Sequence, residues 1–297
     1  MTFVECLRSA WPDLSIVENA PMAKFTSFHI GGPATIALPG SCEELIVVYR
    51  FCIAHDHRPH ILGAGTNVLA PDEGLARLVI CTRDLTAVRD LGDGMLEAEC
   101  GISMARLACY ARERSLSGLE FAAGIPGTVG GGVYMNAGAY GGEMAQVVVK
   151  TQALLPDGSL CEFEGSAHDF SYRHSVFEEK EAVILKTQIK LHAADKASIT
   201  ERMRDLARKR STSQPLDMPS AGSTFKRPAD GYAAALIDAA GLKGKGVGRA
   251  AVSEKHAGFV INLGGATAQD VTATMRYIQE RVYEASGIML EPEVRIW

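Results

Sequence analysis

Residues 124–142 read Gly-Ile-Pro-Gly-Thr-Val-Gly-Gly-Gly-Val-Tyr-Met-Asn-Ala-Gly-Ala-Tyr-Gly-Gly, and the reading of the chain turns on them. Eight glycines fall in this stretch, yet apolar residues interrupt them, so it is no flexible linker. Glycine loses more backbone freedom on folding than any other residue. It is retained where the backbone takes unusual φ/ψ angles or where another molecule touches the main chain. A run of such positions presents peptide N–H groups to an anionic or flat ligand. The competing reading is a tight structural corner, because glycine in a strand pattern also marks a bulge or a close backbone approach. A second glycine turn, Gly63-Ala64-Gly65-Thr66-Asn67, follows the strand-like His60-Ile61-Leu62. Between them the two turns could cradle one dinucleotide, with Thr66, Asn67 and Thr128 adding side-chain hydrogen bonds. Neither is a standard phosphate motif. Val68 stands where a Rossmann fingerprint needs its third glycine, and the Gly/Lys cluster at 241–248 does not form a P-loop.

Outward from the glycines, elements alternate irregularly. Ser41 caps a predicted helix to Asp56, with Glu43 and Glu44 in its first turn and Leu45, Val48, Phe51 and Cys52 at helical spacing. Strands are expected at 78–81 and 95–100, and a helix over 102–114. Segments 146–155 and 159–163 flank Pro156-Asp157-Gly158, a hairpin signal. A long strand is expected at 182–192 and a charged helix at 195–210. Ser211 to Pro215 marks a break, with a domain boundary nearby. A helix over 233–240 ends at Gly241, a strand follows at 258–262, Thr267 caps a helix over 268–285, and 288–297 reads as extended. Strands and helices mixed in this way indicate an α+β fold.

At 297 residues with a net charge of −5 and no basic block, the chain has no electrostatic footprint for nucleic acid. No apolar run reaches membrane-spanning length and the N-terminus lacks a signal-peptide layout. Seven scattered cysteines, none spaced C-x-x-C, suit reduced thiols in a cytoplasmic protein. His55, His57 and His60 are dense enough to suggest a metal, but no carboxylate or cysteine is spaced to complete a site, so no metal is expected.

Eight stretches in order carry a resemblance. They are Thr26–Gly32, Gly63–Leu69, Gly124–Gly131, Asn136–Glu143, Tyr172–Ser175, Pro219–Lys226, Ser253–Phe259 and Leu290–Arg295. Together the chain resembles the UDP-N-acetylenolpyruvoylglucosamine reductases. The resemblance implies an FAD-binding fold of the vanillyl-alcohol-oxidase type, built of two α+β subdomains and followed by a smaller α+β substrate domain. The expected division is 1–82, 83–193 and 194–287, with 288–297 as a strand returning to the flavin site. The resemblance also implies non-covalent FAD, NADPH as hydride source and a UDP-sugar substrate whose enolpyruvyl ether is reduced. No room exists between Ser175 and Ser220 for the tyrosine-bearing insertion of one class, so the chain resembles the shorter class.

Carried over by the same resemblance, the catalytic residues are Arg173, Ser223 and Glu293. Arg173, permanently charged and fork-shaped, suits a carboxylate on which enolate charge develops. Ser223 would give the proton that quenches the enolate, and Glu293 would orient Arg173 or polarise the enol. Cofactor contacts are expected from Gly63, Ala64, Gly65, Thr66, Asn67, Val68, Gly124, Ile125, Pro126, Gly127, Thr128 and Gly131. Substrate contacts are expected from Tyr134, Asn136, Tyr172, Lys226, Arg227, Lys255 and His256. Taken singly, each catalytic residue has an ordinary alternative: a surface arginine, a turn-capping serine, an exposed glutamate. The rival enzyme class is an alcohol or sugar oxidase of the same flavin fold, for which His29 is the candidate covalent attachment. A binding protein without turnover is the third reading.

Overall fold

The computed structural model of the protein describes residues 2–297, and the chain forms two compact units. The first comprises Met1–Glu18, Thr35–Ala64 and Arg77–Arg208; the second comprises Asn19–Ala34, Gly65–Ala76 and Lys209–Trp297.

The first unit is organised by a five-stranded antiparallel sheet in the order Leu160–Glu164, Val148–Leu154, Val183–Lys190, Met95–Glu99, Val88–Gly92. The expected hairpin is present. Leu154 pairs with Leu160, and Gly158 takes the positive φ of +78° that the turn demands. Helix Met104–Glu113 buries Met104, Leu107, Ala108 and Ala111, and starts where Ser103 Oγ accepts from Arg106 N at 3.2 Å. Helix Cys42–Ala54 is capped by Ser41 and buries Leu45, Val48, Tyr49 and Cys52. A further sheet runs in the order Ser15–Pro21, Pro33–Leu38, Leu75–Cys81, His60–Leu62, the last two parallel. That parallel strand delivers the chain directly into the 63–67 turn.

In the second unit, helix Ala268–Ser286 is closed by a Thr267/Asp270 capping box and ends at Gly287, left-handed at φ +72°. It buries Val271, Met275, Ile278 and Val282. These residues belong to a cluster with Ile237 and Val260, from helix Ala233–Ala239 and strand Val260–Asn262. Phe28, Ile30 and Leu69 join the same cluster. Asn262 Nδ2 donates to Phe28 O at 2.9 Å, tying the early segment in.

The division therefore differs from the expected one. Residues 19–34 and 65–76 leave the N-terminal part because their apolar side chains complete the second core. The charged helix Lys196–Ser213, expected after the boundary, packs Ile199 and Met203 into the first core. Between Ser175 and Ser220 the chain is taken up by short elements and this helix, in keeping with the shorter class.

Candidate active site

Thr128 initiates a short helix, Val129–Tyr134, inside the glycine-rich stretch. Its Oγ1 accepts from Gly131 N at 3.3 Å, and its carbonyl accepts from Gly132 N at 2.8 Å. Val129 N donates to Ile102 O and Gly130 N to Cys100 O, both at 2.8 Å. The expected run of available peptide donors is thus largely consumed within the chain, because these N–H groups hold the helix against its neighbours. The N–H groups of Gly127 and Thr128 have no acceptor within the described chain.

The glycines themselves divide by what a Cβ would meet. At Gly63 it would lie 2.4 Å from Thr128 Oγ1, which sets the two glycine turns directly against each other. At Gly130 it would meet Cys100 Cβ and at Gly132 Met104 Sδ, each at 2.8 Å. At Gly142 it would meet the Phe121 ring at 2.6 Å. Gly127 has φ +139°, closed to ordinary side chains. Gly131 is different. It is exposed and helical, and its Cβ would meet only Thr128 Oγ1 at 3.5 Å, an ordinary contact. A glycine that the chain's own packing does not require leaves room for another molecule to approach the backbone.

Arg173 sits in a tight turn closed by Ser171 N to His174 O and His174 N to Ser171 O, both 3.2 Å. It is left-handed at φ +57°, its Nη2 lies 3.4 Å from Gly138 O, and its guanidinium lies 5.0 Å from the Tyr172 ring centroid. Asn136 holds this turn. Its Nδ2 donates to Ser171 O at 3.0 Å and its Oδ1 accepts from Ala145 N at 2.9 Å. Expected as a substrate contact, Asn136 is only 1% exposed and both ends of its amide are engaged inside the chain, which gives it a different task.

In the second unit Ser223 and Glu293 come onto adjoining segments. Phe225 bridges Pro292, Lys226 N donates to Glu291 O at 2.8 Å, and Glu293 N donates to Thr224 O at 2.8 Å. Ser223 is exposed, next to Gly222 at φ +76°, while Thr224 is buried and its Oγ1 accepts from Val260 N at 2.9 Å. Asn67 clamps the C-terminal segment: its Nδ2 donates to Glu293 O at 3.0 Å and its carbonyl accepts from Arg295 N at 2.9 Å. Arg295 and Ile296 run parallel to Val68 and Leu69, and Trp297 N donates to Leu69 O at 3.1 Å. The turn expected to bind cofactor thus also anchors the C-terminal segment that carries Glu293.

The remaining expected substrate contacts have partners of their own. Lys226 Nζ reaches Glu291 Oε1 at 2.5 Å, Arg227 stacks over Tyr232 at 4.1 Å, and Lys255 Nζ donates to Ser211 O at 2.7 Å. His256 Nδ1 accepts from Gly258 N at 3.1 Å, so Nε2 carries its proton; burial, assisted by the charge of Lys243, holds its pKa below the ordinary histidine value.

The family described as UDP-N-acetylenolpyruvoylglucosamine reductase, C-terminal domain, matches residues 214–297, and an FAD binding domain family matches residues 33–164. The UDP-N-acetylenolpyruvoylglucosamine reductase of Caldanaerobacter subterraneus subsp. tengcongensis is 43% identical over 99% of this chain and 97% of its own. The chain belongs to the UDP-N-acetylenolpyruvoylglucosamine reductase family. The crystal structure of that reductase from Thermus caldophilus superposes with a TM-score of 0.81 at 34% identity, over 96% of this chain and 99% of that one. A glucose dehydrogenase, Phl p 4.0202, shares the fold at 17% identity with a TM-score of 0.52, over 65% of this chain and 44% of its own. The α+β architecture with an FAD-binding domain of the vanillyl-alcohol-oxidase type is thereby established for this reductase-family chain.

Other groups singled out in the sequence find ordinary roles in this member of the family. His57 stacks on Phe3 at 4.0 Å and His55 on Phe51 at 4.1 Å, an aromatic cluster rather than a ligand set. Burial pushes the Cys52 and Cys100 thiols up to about 12, so neither is a nucleophile at neutral pH. Asp169, His174 and Glu179, which no sequence spacing flagged, offer ligand atoms within 4.8 Å of one another, with both carboxylates exposed.

Proposed function

We propose that the protein reduces UDP-N-acetylenolpyruvoylglucosamine to UDP-N-acetylmuramate with NADPH, through non-covalently bound FAD, in the cytoplasm during peptidoglycan precursor synthesis. The observation that carries the reading is the pairing of the Ser223 and Glu293 segments, locked by the Asn67 clamp. An acid and a proton donor on adjoining, hydrogen-bonded segments suit protonation of a carbon, and an alcohol oxidase has no use for that pair. FAD, when bound, supplies hydride transfer; Gly63, Ala64, Gly127, Thr128 and Gly131 would hold it, with Gly124, Ile125, Pro126 and the 65–68 segment beside them.

The chain's own residues account for the rest. Arg173 binds the substrate carboxylate and carries the charge that develops there as hydride adds to the terminal vinyl carbon. Ser223 Oγ gives its proton to the carbon bearing the carboxylate, which saturates the double bond. Glu293 orients Arg173 or polarises the developing enol. Lys226 and Arg227 meet the diphosphate; the exposed Lys226–Glu291 pair contributes little on its own and is readily exchanged for a phosphate. Tyr134, Tyr172, Lys255 and His256 complete the substrate contacts.

Anaerobic stopped-flow absorbance at the flavin band tests this. NADPH should bleach the band, and the enolpyruvyl substrate should restore it. In Ser223→Ala the first step should proceed normally and the second should slow roughly 10²-fold, the scale of one general acid. Bleaching without recovery in the native protein would reject the substrate, and equal slowing of both steps in the variant would reject Ser223 as the proton donor.

A further inference from the structure

We infer that Asn136 is a positioning residue for Arg173, holding in register the turn from which the arginine acts; this rests on the reductase reading above. Three observations converge. Asn136 and Arg173 are both left-handed, at φ +41° and +57°, a conformation uncommon outside glycine and kept where the surroundings over-determine it. The amide of Asn136 is 1% exposed and engaged at both ends, donating to Ser171 O two residues before Arg173 and accepting from Ala145 N. Two residues after Arg173, Ser175 Oγ donates to Tyr134 O at 2.7 Å, and Ser175 is fully buried. The turn is therefore fastened on both sides to one short stretch, 134–136, at the end of the helix that begins with Thr128.

Only an amide satisfies both partners of Asn136. Its Nδ2 must donate to a carbonyl and its Oδ1 must accept from a peptide N–H. An aspartate keeps the shape and the acceptor but sets an oxygen against Ser171 O. The guanidinium would then lose its fixed starting point while the glycine turns stay untouched. Small displacements of a substrate-positioning group cost on the order of 10²-fold.

The test is a double-mutant cycle on the two half-reactions. Asn136→Asp should leave flavin content and reduction by NADPH near native values. Reoxidation by the enolpyruvyl substrate should slow ten- to a hundredfold, and the affinity for UDP-N-acetylmuramate, read by calorimetry, should fall as well. In an Arg173→Ala background the same substitution should change reoxidation less than twofold, because the group it positions is gone. Additive losses, or equal slowing of both half-reactions, overturn the proposal. If Asn136→Asp does not fold, Ser175→Ala removes the other fastening; the same selective loss supports the proposal and an unselective one overturns it. A native protein that never reoxidises with the enolpyruvyl substrate rejects the reductase reading itself, a result distinct from an additive cycle.

Discussion

Replacing Gly131 by alanine should make the FAD-free protein more stable and the FAD complex weaker. In the free chain the new methyl meets only Thr128 Oγ1 at 3.5 Å, so no clash opposes it. Gly131 lies inside helix Val129–Tyr134, where glycine is about 0.5–1 kcal/mol worse than alanine. With a denaturant slope of about 2–3 kcal/mol/M, the urea midpoint of the FAD-free first unit should rise by roughly 0.3 M. If flavin packs on this backbone, the methyl overpacks the contact by about 1–3 kcal/mol. That corresponds to FAD binding roughly five- to 150-fold weaker. Urea melts without and with saturating FAD, together with a flavin fluorescence titration, read both signs. Gly132→Ala is the control: its methyl meets Met104 Sδ at 2.8 Å, so it should destabilise the FAD-free protein. An unchanged FAD affinity in Gly131→Ala would refute ligand approach at this glycine. A lower midpoint without FAD would show that the glycine serves the fold.

Three further predictions probe other parts of the site. Gly127→Val forces a β-branched residue to φ +139°, at a cost of about 1–3 kcal/mol; the purified variant should lose its yellow colour, and full colour would reject a backbone contact there. Asn67→Ala removes the side-chain hydrogen bond to the carbonyl of Glu293, a loss of about 0.5–1.5 kcal/mol; flavin reoxidation should slow more than flavin content falls, and the reverse order would return Asn67 to a cofactor role alone. Stability should fall on acidification. Burial depresses the pKa of His60 to about 4, with Arg77 adding to the effect, and burial lowers that of His168. At His60 the unfolded chain therefore takes up a proton near pH 6.5 that the folded chain refuses until about pH 4, His168 acts in the same direction, and stability drops across that window; a thermal midpoint flat from pH 7 to pH 4.5 would contradict this.

The elements most legible in the sequence are those whose signals are local. Ser41, Ser103 and Thr267 cap their helices with their own side chains, and the Pro-Asp-Gly hairpin closes at Leu154 and Leu160. The break near Ser211–Pro215 was legible and falls close to the change of unit at Arg208, but the membership of 19–34 and 65–76 was not, because it depends on contacts such as Ser27 Oγ to Ser220 O, at 2.6 Å across a separation of 193 residues. Such a pairing leaves no periodicity in either segment. The helix at Val129–Tyr134 escaped for another reason. Three consecutive glycines oppose helix formation, and it forms because Cys100, Ile102 and Thr128 accept from its first N–H groups.

The same distinction runs through the site. Arg173, Ser223 and Glu293 are proposed from motif resemblance, and the same reading made Asn67 a cofactor contact and Asn136 a substrate contact. Asn67 and Asn136 both lie in glycine-rich stretches, so both read as ligand contacts. In the structure, Asn67 spends its side-chain donor on Glu293, 226 residues away, and Asn136 spends its own on the turn of Arg173, 35 residues away. An asparagine in a glycine turn has two functions open to it: its amide can face a ligand, or it can replace the backbone pairing that a glycine turn lacks. Burial separates the two. An amide with 1% exposure and both ends engaged offers almost no surface to a diffusing substrate. The amides of Asn67 and Asn136 thus tie the glycine-rich stretches to the segments that carry Glu293 and Arg173. Substitutions at these asparagines should consequently be read by which half-reaction they slow, since a loss of activity alone would not distinguish a binder from a brace.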